Sequence, residues 1–266
     1  MNLRGIEFGP IIDTPKLRGK KLVRYGAGVA LVETFGTMQD FTHFVREGSF
    51  VYATDPFFIF LSLTGTTSEA RLSELREAIS LIRNSRERFP APFALVISIG
   101  SSATSEDASA YVQEFSVLIK EASTVDVPLV AEVSLLAAPE TAADIMRDPN
   151  VEALFVSDSI LWTDLPPRAQ KVFFRRSTSP FSTRGGGRVF GKYLSPLVVE
   201  WVAQLRRQFV QKPIITGAGV LRPRDVDALK AVGASAITLT AARLIRPWNI
   251  FRITLRAKRV FLKRVE

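Results

Sequence analysis

The sequence predicts an α/β fold: a single (β/α)8 barrel followed by a C-terminal basic amphipathic helix. Three observations carry that expectation. Eight short runs rich in β-branched or aromatic residues recur along the chain, and helical apolar patterns lie between most of them. The 266 residues are close to the roughly 250 typical of such a barrel. No linker-like stretch divides them. A doubly wound open sheet is the alternative that the same alternation allows.

In order, the expected strands are Phe8–Ile12, Val29–Thr34, Phe57–Leu63, Phe93–Ile99, Leu129–Ser134, Ala153–Ser157, Ile214–Thr216 and Ala236–Leu239. Most are near-continuous apolar runs, as expected of strands covered on both faces of a parallel sheet. Between them, Ser68–Glu87 places Leu72, Leu75, Ile79 and Ile82 at helical steps of three or four. Glu106–Ala122 does so with Ala110, Val112, Phe115, Leu118 and Ile119, and Pro196–Phe209 with Val198, Val199, Val202 and Leu205. Asp225–Val232 offers Val226, Leu229 and Val232. Leu161–Tyr193, with Pro166, Pro167, Pro180 and Gly185-Gly186-Gly187, reads as a long irregular loop. Loops of that length tend to be functional, and this one would follow the sixth strand on the catalytic face. Residues 1–247 then form the barrel and 248–266 the added helix.

One stretch points to a ligand. Ile214–Thr216 leads into a glycine turn (Gly217, Gly219) and a helix with Pro223 near its start. Backbone N–H groups at such a turn can hold a phosphate. Glycine there also has a purely steric use, so spacing alone leaves both readings open.

Composition narrows the classes. With no cysteine, disulfides, thiolate metal sites and a cysteine nucleophile are excluded together. The lone histidine, His43, cannot build a histidine metal centre and is expected at the surface. No apolar run approaches the roughly 18 residues of a membrane span, and Met1–Pro10 lacks a signal-peptide core, so the cytoplasm is the expected location. The charge is uneven. Arg243–Glu266 holds eight Arg or Lys and one Glu, which is +7 of the formal +9. In Trp248–Glu266, Arg252, Arg256, Arg259 and Lys263 form one stripe; Ile250, Ile253, Ala257, Val260 and Phe261 form another. Two roles suit it: packing on the barrel with a solvated basic face, or peripheral contact with an anionic membrane surface. Nucleic acid is not an expected partner, because the body lacks a basic, aromatic-interleaved surface.

Taken in order, these motifs resemble the dihydroorotate dehydrogenase family of FMN-dependent TIM barrels, in places its quinone-using class. Pro56–Gly65 (PFFIFLSLTG) is similar to the family's Pro-Val-Ile-x-Ser-Ile-x-Gly. Ala94–Ser102, Val127–Ser134 and Ala153–Ser159 fall where the family has its base-loop, lysine and Asn-Thr strands. Gly187–Pro196 (GRVFGKYLSP) matches Gly-Gly-Leu-Ser-Gly-x-x-x-x-Pro without a gap. Pro213–Val220 and Gly233–Ala241 resemble the two phosphate-end motifs.

The resemblance implies FMN as cofactor, a small-molecule substrate, and oxidation of dihydroorotate in pyrimidine biosynthesis. It implies Ser101 as the catalytic base, Ser98 and Asp158 at the substrate, and Glu132, Ser159, Gly187, Gly191, Gly217, Gly219 and Thr240 at the cofactor. Departures accompany each motif. The flavin-facing lysine is Glu132, the paired asparagines are Ser98 and Ala103, and Asn-Thr is Asp158-Ser159. The second glycine of the Gly-Gly pair is Arg188; Gly-x-Gly-Gly is Thr216-Gly217-Ala218-Gly219; the closing Gly-Thr is Thr240-Ala241. The first flavin contact reads Asp13-Thr14-Pro15, while Glu33 and Gly36-Thr37 echo a Glu-x-Gly-Thr with one extra residue.

Such an oxidation needs a base, a hydride acceptor and groups that hold negative charge. One charge contact at about 4 Å and an effective dielectric of about 20 is worth roughly 4 kcal/mol. Exchanging lysine for Glu132 therefore weakens anion binding by powers of ten, unless Glu132 is protonated or paired by Arg188, Lys192, Arg175 or Arg176. Two alternatives stay open. One is a catalytically degenerate barrel acting as a binding or scaffold protein. The other is a barrel that uses the carboxylates Asp13, Glu33, Glu132 and Asp158 with a divalent metal and a phosphorylated substrate.

Overall fold

A computed structural model describes residues 22–25, 29–32, 56–89, 91–99, 108–175, 177–184, 186–208 and 210–262. The expectations for Phe8–Ile12, Asp13, Glu33, His43, Ser101, Ala103, Arg176 and Lys263 lie outside these residues. In chain order the strands are β1 (Leu22–Tyr25), β2 (Val29–Val32), β3 (Phe57–Leu63), β4 (Phe93–Ile99), β5 (Leu129–Val133), β6 (Val151–Val156), β7 (Ile160–Leu161), β8 (Arg188–Gly191) and β9 (Ile214–Thr216). The helices are α1 (Ser68–Asn84), α2 (Ala108–Ala122), α3 (Pro139–Arg147), α4 (Pro167–Phe174), α5 (Leu194–Arg207), α6 (Pro223–Ala231), α7 (Thr240–Ile245) and α8 (Ile250–Phe261). Two compact units result. The first comprises Met1–Gly19, Phe35–Glu132 and Asp144–Ala153; the second comprises Lys20–Thr34, Val133–Ala143 and Leu154–Glu266.

In the first unit the β-branched and aromatic runs form parallel strands. β3 pairs with β4 from Phe57↔Phe93 to Leu63↔Ile99, and β4 with β5 from Leu95↔Leu129 to Ser98↔Glu132. β5 is buried along its whole length, as its four apolar residues require, and it carries the carboxylate of Glu132 inward with them. β3 instead alternates, burying Phe57, Ile59, Leu61 and Leu63. Thr67 starts α1 by accepting a hydrogen bond from Ala70 N. Leu75, Ala78, Ile79 and Ile82 form the buried face of α1, each large side chain contributing roughly 2 kcal/mol. The α2 face is rotated from the expected one: Tyr111 is buried, whereas Ala110 is exposed and Val112 half-buried. Arg71 ties α1 to α2 through Glu114, Nε to Oε1 at 2.5 Å and Nη2 to Oε2 at 2.8 Å.

The second unit contains an antiparallel sheet of order β1-β2-β8-β7. This corrects the reading of Val29–Thr34 as a parallel barrel strand. Val29–Val32 pairs with β1 and with β8, Val29 opposite Gly191 and Val32 opposite Arg188. Two glycines among the three residues between β1 and β2 give the composition a short hairpin loop needs. The same unit holds the parallel pairing of β6 with β9, from Leu154↔Ile214 to Val156↔Thr216. The expected strand Ala236–Leu239 is reduced to one parallel bridge, Ile215↔Ala236. The chain turns away there because Leu239 becomes the N-cap of α7.

Leu161–Tyr193 is not irregular. It holds α4, a 3-10 turn at Ser182–Arg184 and β8. Pro166 and Pro167 open α4, where a proline's missing N–H costs nothing. Gln170 Nε2 donates to the carbonyls of Trp162 and Leu165, and the Trp162 and Phe174 rings meet at 4.8 Å. On α5, Val198, Trp201, Val202 and Leu205 are buried, with Trp201 Nε1 donating to Ala137 O at 2.7 Å. α8 packs on α6: Ile253 and Ala257 face inward, Arg256 pairs with Asp227 at 2.7 Å, and Lys230 Nζ lies 5.2 Å from the Phe261 ring centre. No helix among the described residues is long and apolar enough to cross a membrane.

Candidate functional site

Of the eight buried polar or charged residues among those described, five sit where β6 and β9 end: Ser157, Asp158, Ser159, Thr216 and Thr238. Such groups are costly to bury without partners, so their concentration at strand carboxyl ends marks the candidate site. Ser157 N continues the strand by donating to Val133 O, and its hydroxyl donates to Ser159 O at 2.9 Å. Asp158 Oδ2 accepts from Thr238 Oγ1 at 3.2 Å. Ser159 Oγ accepts from Arg188 Nε at 2.8 Å, which joins the residue before β7 to the start of β8. The 157–159 stretch thus stays ordered although it has left the ladder.

The glycine turn follows from close packing of the chain on itself. Thr216 N donates to Ala236 O and Thr238 N donates to Thr216 O, drawing the two segments together. A side chain on Gly217 would overlap Thr238, coming within 2.7 Å of its carbonyl carbon. Gly219 has φ of +76°, and a side chain there would lie 2.5 Å from Ser195 N and 2.7 Å from its Cβ. Gly187, just before β8, and Gly191, its last residue, adopt φ of +79° and +123°, conformations that favour glycine. Thr240 is half-buried at the start of α7 and Ala218 is buried. One polar atom stands out. Thr216 Oγ1 is fully buried and has no hydrogen-bond partner among the described residues, beside the turn expected to face a phosphate.

In the first unit, Ser98 and Glu132 are register neighbours on β4 and β5. Ser98 is half-buried; Glu132 is buried. Tyr111 is pushed above its ordinary pKa by burial, with the charges of Glu132 and Glu114 adding to the effect. Among the described residues no three His, Cys, Asp or Glu side chains come together as a metal site.

The structure therefore brings Asp158, Ser159, Gly187, Gly217 and Gly219 into one unit with Thr216, Thr238 and Arg188. Ser98 and Glu132 belong to the other. Thr238 and Ser195 were not foreseen as site neighbours; the clue was the glycines themselves, since a bare Cα needs something pressed against it.

No protein-family model and no curated protein sequence matches this chain. Solved structures do. The ligand-free DHODH (dihydroorotate dehydrogenase) of Eimeria tenella aligns at a TM-score of 0.58 and 14% identity, over 95% of this chain and 74% of that one. DHODH of the same organism in complex with ferulenol aligns at 0.57 and 14%, over 88% of this chain and 66% of the other. The chain thus spans just under two thirds of the length of that complex's protein. It has a divergent DHODH-like α/β fold.

A flavin's fit differs between the two units. In the second, the orphaned Thr216 hydroxyl and the half-buried Arg188 suit an oxygen-rich anion. In the first, the buried carboxylate of Glu132 stands where the resemblance expects a lysine on the flavin ring, and it does not fit that contact.

Proposed function

We propose that this chain is a dihydroorotate dehydrogenase-like oxidoreductase that binds FMN and oxidises dihydroorotate or a related small substrate. The observation that carries the reading is the buried polar cluster at the ends of β6 and β9, with Thr216 Oγ1 left without a partner among the described residues. A native buried hydroxyl without a partner calls for an explanation, and a bound ligand oxygen supplies one. Thr216 and the backbone of Gly217–Gly219 would hold the phosphate end, Arg188 would add positive charge, and Asp158 would accept from a donor on the substrate. Ser101, the base implied by the resemblance, would take the substrate proton. FMN, when bound, supplies the two-electron acceptor that the oxidation requires.

A second reading is a barrel that keeps the fold and binds without flavin chemistry. Glu132 favours it: a buried carboxylate repels an anionic cofactor rather than attracting it. One experiment separates the two. On the first reading the protein purified without added cofactor, or titrated with FMN, shows bound-flavin absorbance, and dihydroorotate bleaches it. Colourless protein that leaves FMN free in equilibrium dialysis would establish the second.

A further inference from the structure

We infer that the outward face of α8, with Trp248 in the turn before it, is a docking surface for an anionic membrane. Of the seven large hydrophobic side chains exposed among the described residues, four lie here: Trp248 (69% exposed), Phe251 (72%), Leu255 (41%) and Leu262 (44%). Phe251, Leu255 and Leu262 are spaced by four and seven residues, so they share one helical face. That face lies away from Ile253 and Ala257, whose packing fixes the helix on α6. The inward side of α8 therefore does not explain its outward apolar residues.

Charge selects the occupant. Ile250–Phe261 contains no acidic residue, and Arg252, Arg256, Lys258 and Arg259 are all exposed beside the apolar stripe. Arg252 also joins Arg222, Arg224, Pro223 and Asn249 around a surface concavity of about 330 Å³. An apolar strip containing Trp and Phe, edged by arginines, matches the interface of a bilayer with an anionic headgroup layer. A second protein's apolar face would not call for so many cations, and nucleic acid would leave Phe251 and Leu255 uncovered. The contact is peripheral, with the helix lying in the plane of the interface.

The test uses the full chain and vesicles of phosphatidylcholine with or without phosphatidylserine. Trp162 and Trp201 are buried, so Trp248 is the indole that reports the contact. Expected are co-sedimentation with the anionic vesicles only, loss of binding at high salt, and a blue shift of tryptophan emission on binding. Each basic residue contributes about fivefold to such affinity, so the triple variant Arg252→Gln, Lys258→Gln, Arg259→Gln should bind on the order of a hundredfold more weakly. Phe251→Ser with Leu255→Ser should abolish the blue shift. All five side chains are exposed, so an unchanged thermal midpoint in both variants certifies their folding. Equal binding to neutral vesicles, absence of vesicle binding, or binding without a change in emission would each overturn the inference. So would tight duplex-DNA binding or dimerisation in place of vesicle binding. Neither flavin nor turnover enters this measurement, so its outcome is independent of the proposed activity.

Discussion

Replacing Gly217 with alanine tests why the glycine turn exists. The new methyl would overlap Thr238 Oγ1 and its carbonyl oxygen, and would lie 2.7 Å from the carbonyl carbon. Thr238 cannot simply step aside. Its N–H bonds Thr216 O, its hydroxyl bonds Asp158, and the preceding residues are tied to β9 through Ala236. Overpacking alone costs about 1–3 kcal/mol, and losing a hydrogen bond to a charged group adds roughly 1.5–3 kcal/mol. The sum, about 2.5–6 kcal/mol, lowers the thermal midpoint by about 5–24 °C in a chain of this size. Urea and thermal unfolding of wild type, Gly217→Ala, Thr238→Ala and the double variant measure it. Because Thr238→Ala removes part of the overlap, Gly217→Ala should cost less in that background, giving a coupling energy above about 0.5 kcal/mol. A Gly217→Ala variant as stable as wild type would refute the reasoning and return this glycine to a role in ligand approach alone.

Other perturbations have signed outcomes. Arg71→Lys keeps the charge but loses the fork onto Glu114 and the 2.6 Å bond to Gly65 O, so the stability measured by urea unfolding should fall by about 1–2 kcal/mol; an unchanged midpoint would contradict the geometry. Burial first, then the Glu132 and Glu114 charges, raise the Tyr111 pKa. Its stabilising contribution is complete below the ordinary value of about 10 and is lost as pH rises beyond it, so Tyr111→Phe should flatten the alkaline loss of stability. Trp201→Phe removes the bond to Ala137 O and should cost about 1 kcal/mol in thermal unfolding. If FMN binds, Glu132→Gln should tighten it in dialysis, because a buried negative charge is removed; unchanged affinity would separate Glu132 from the cofactor.

Strand-forming runs of mostly apolar sequence were legible because parallel pairing covers both faces, as in β4 and β5, where only Ser98 and Glu132 interrupt the apolar residues. The helices at Ser68 and Pro223 were legible from their periodicity. Less was readable where partners are distant in sequence. Val29–Val32 has the composition of a buried strand, yet its pairing with Arg188–Gly191 comes from more than 150 residues away and carries no local signal. Pro166-Pro167 looks like a loop until Gln170 and Phe174 fix a short helix behind it. At the site, the residue identities were readable but their partners were not. Asp158 and Ser159 appeared as substitutions in a motif; only the fold shows Thr238 and Arg188 upon them. Likewise the turn's glycines suggested a phosphate, while their bare α-carbons are met by Thr238 and Ser195.

On the proposed function, the chain holds a flavin at the ends of β6 and β9. The direct measurement is the visible spectrum of the purified protein, followed by anaerobic addition of dihydroorotate. The expected result is bound-flavin absorbance, supplied by FMN if the protein emerges empty, and bleaching by the substrate. A colourless protein that binds no added FMN and does not turn over dihydroorotate with any acceptor would contradict it.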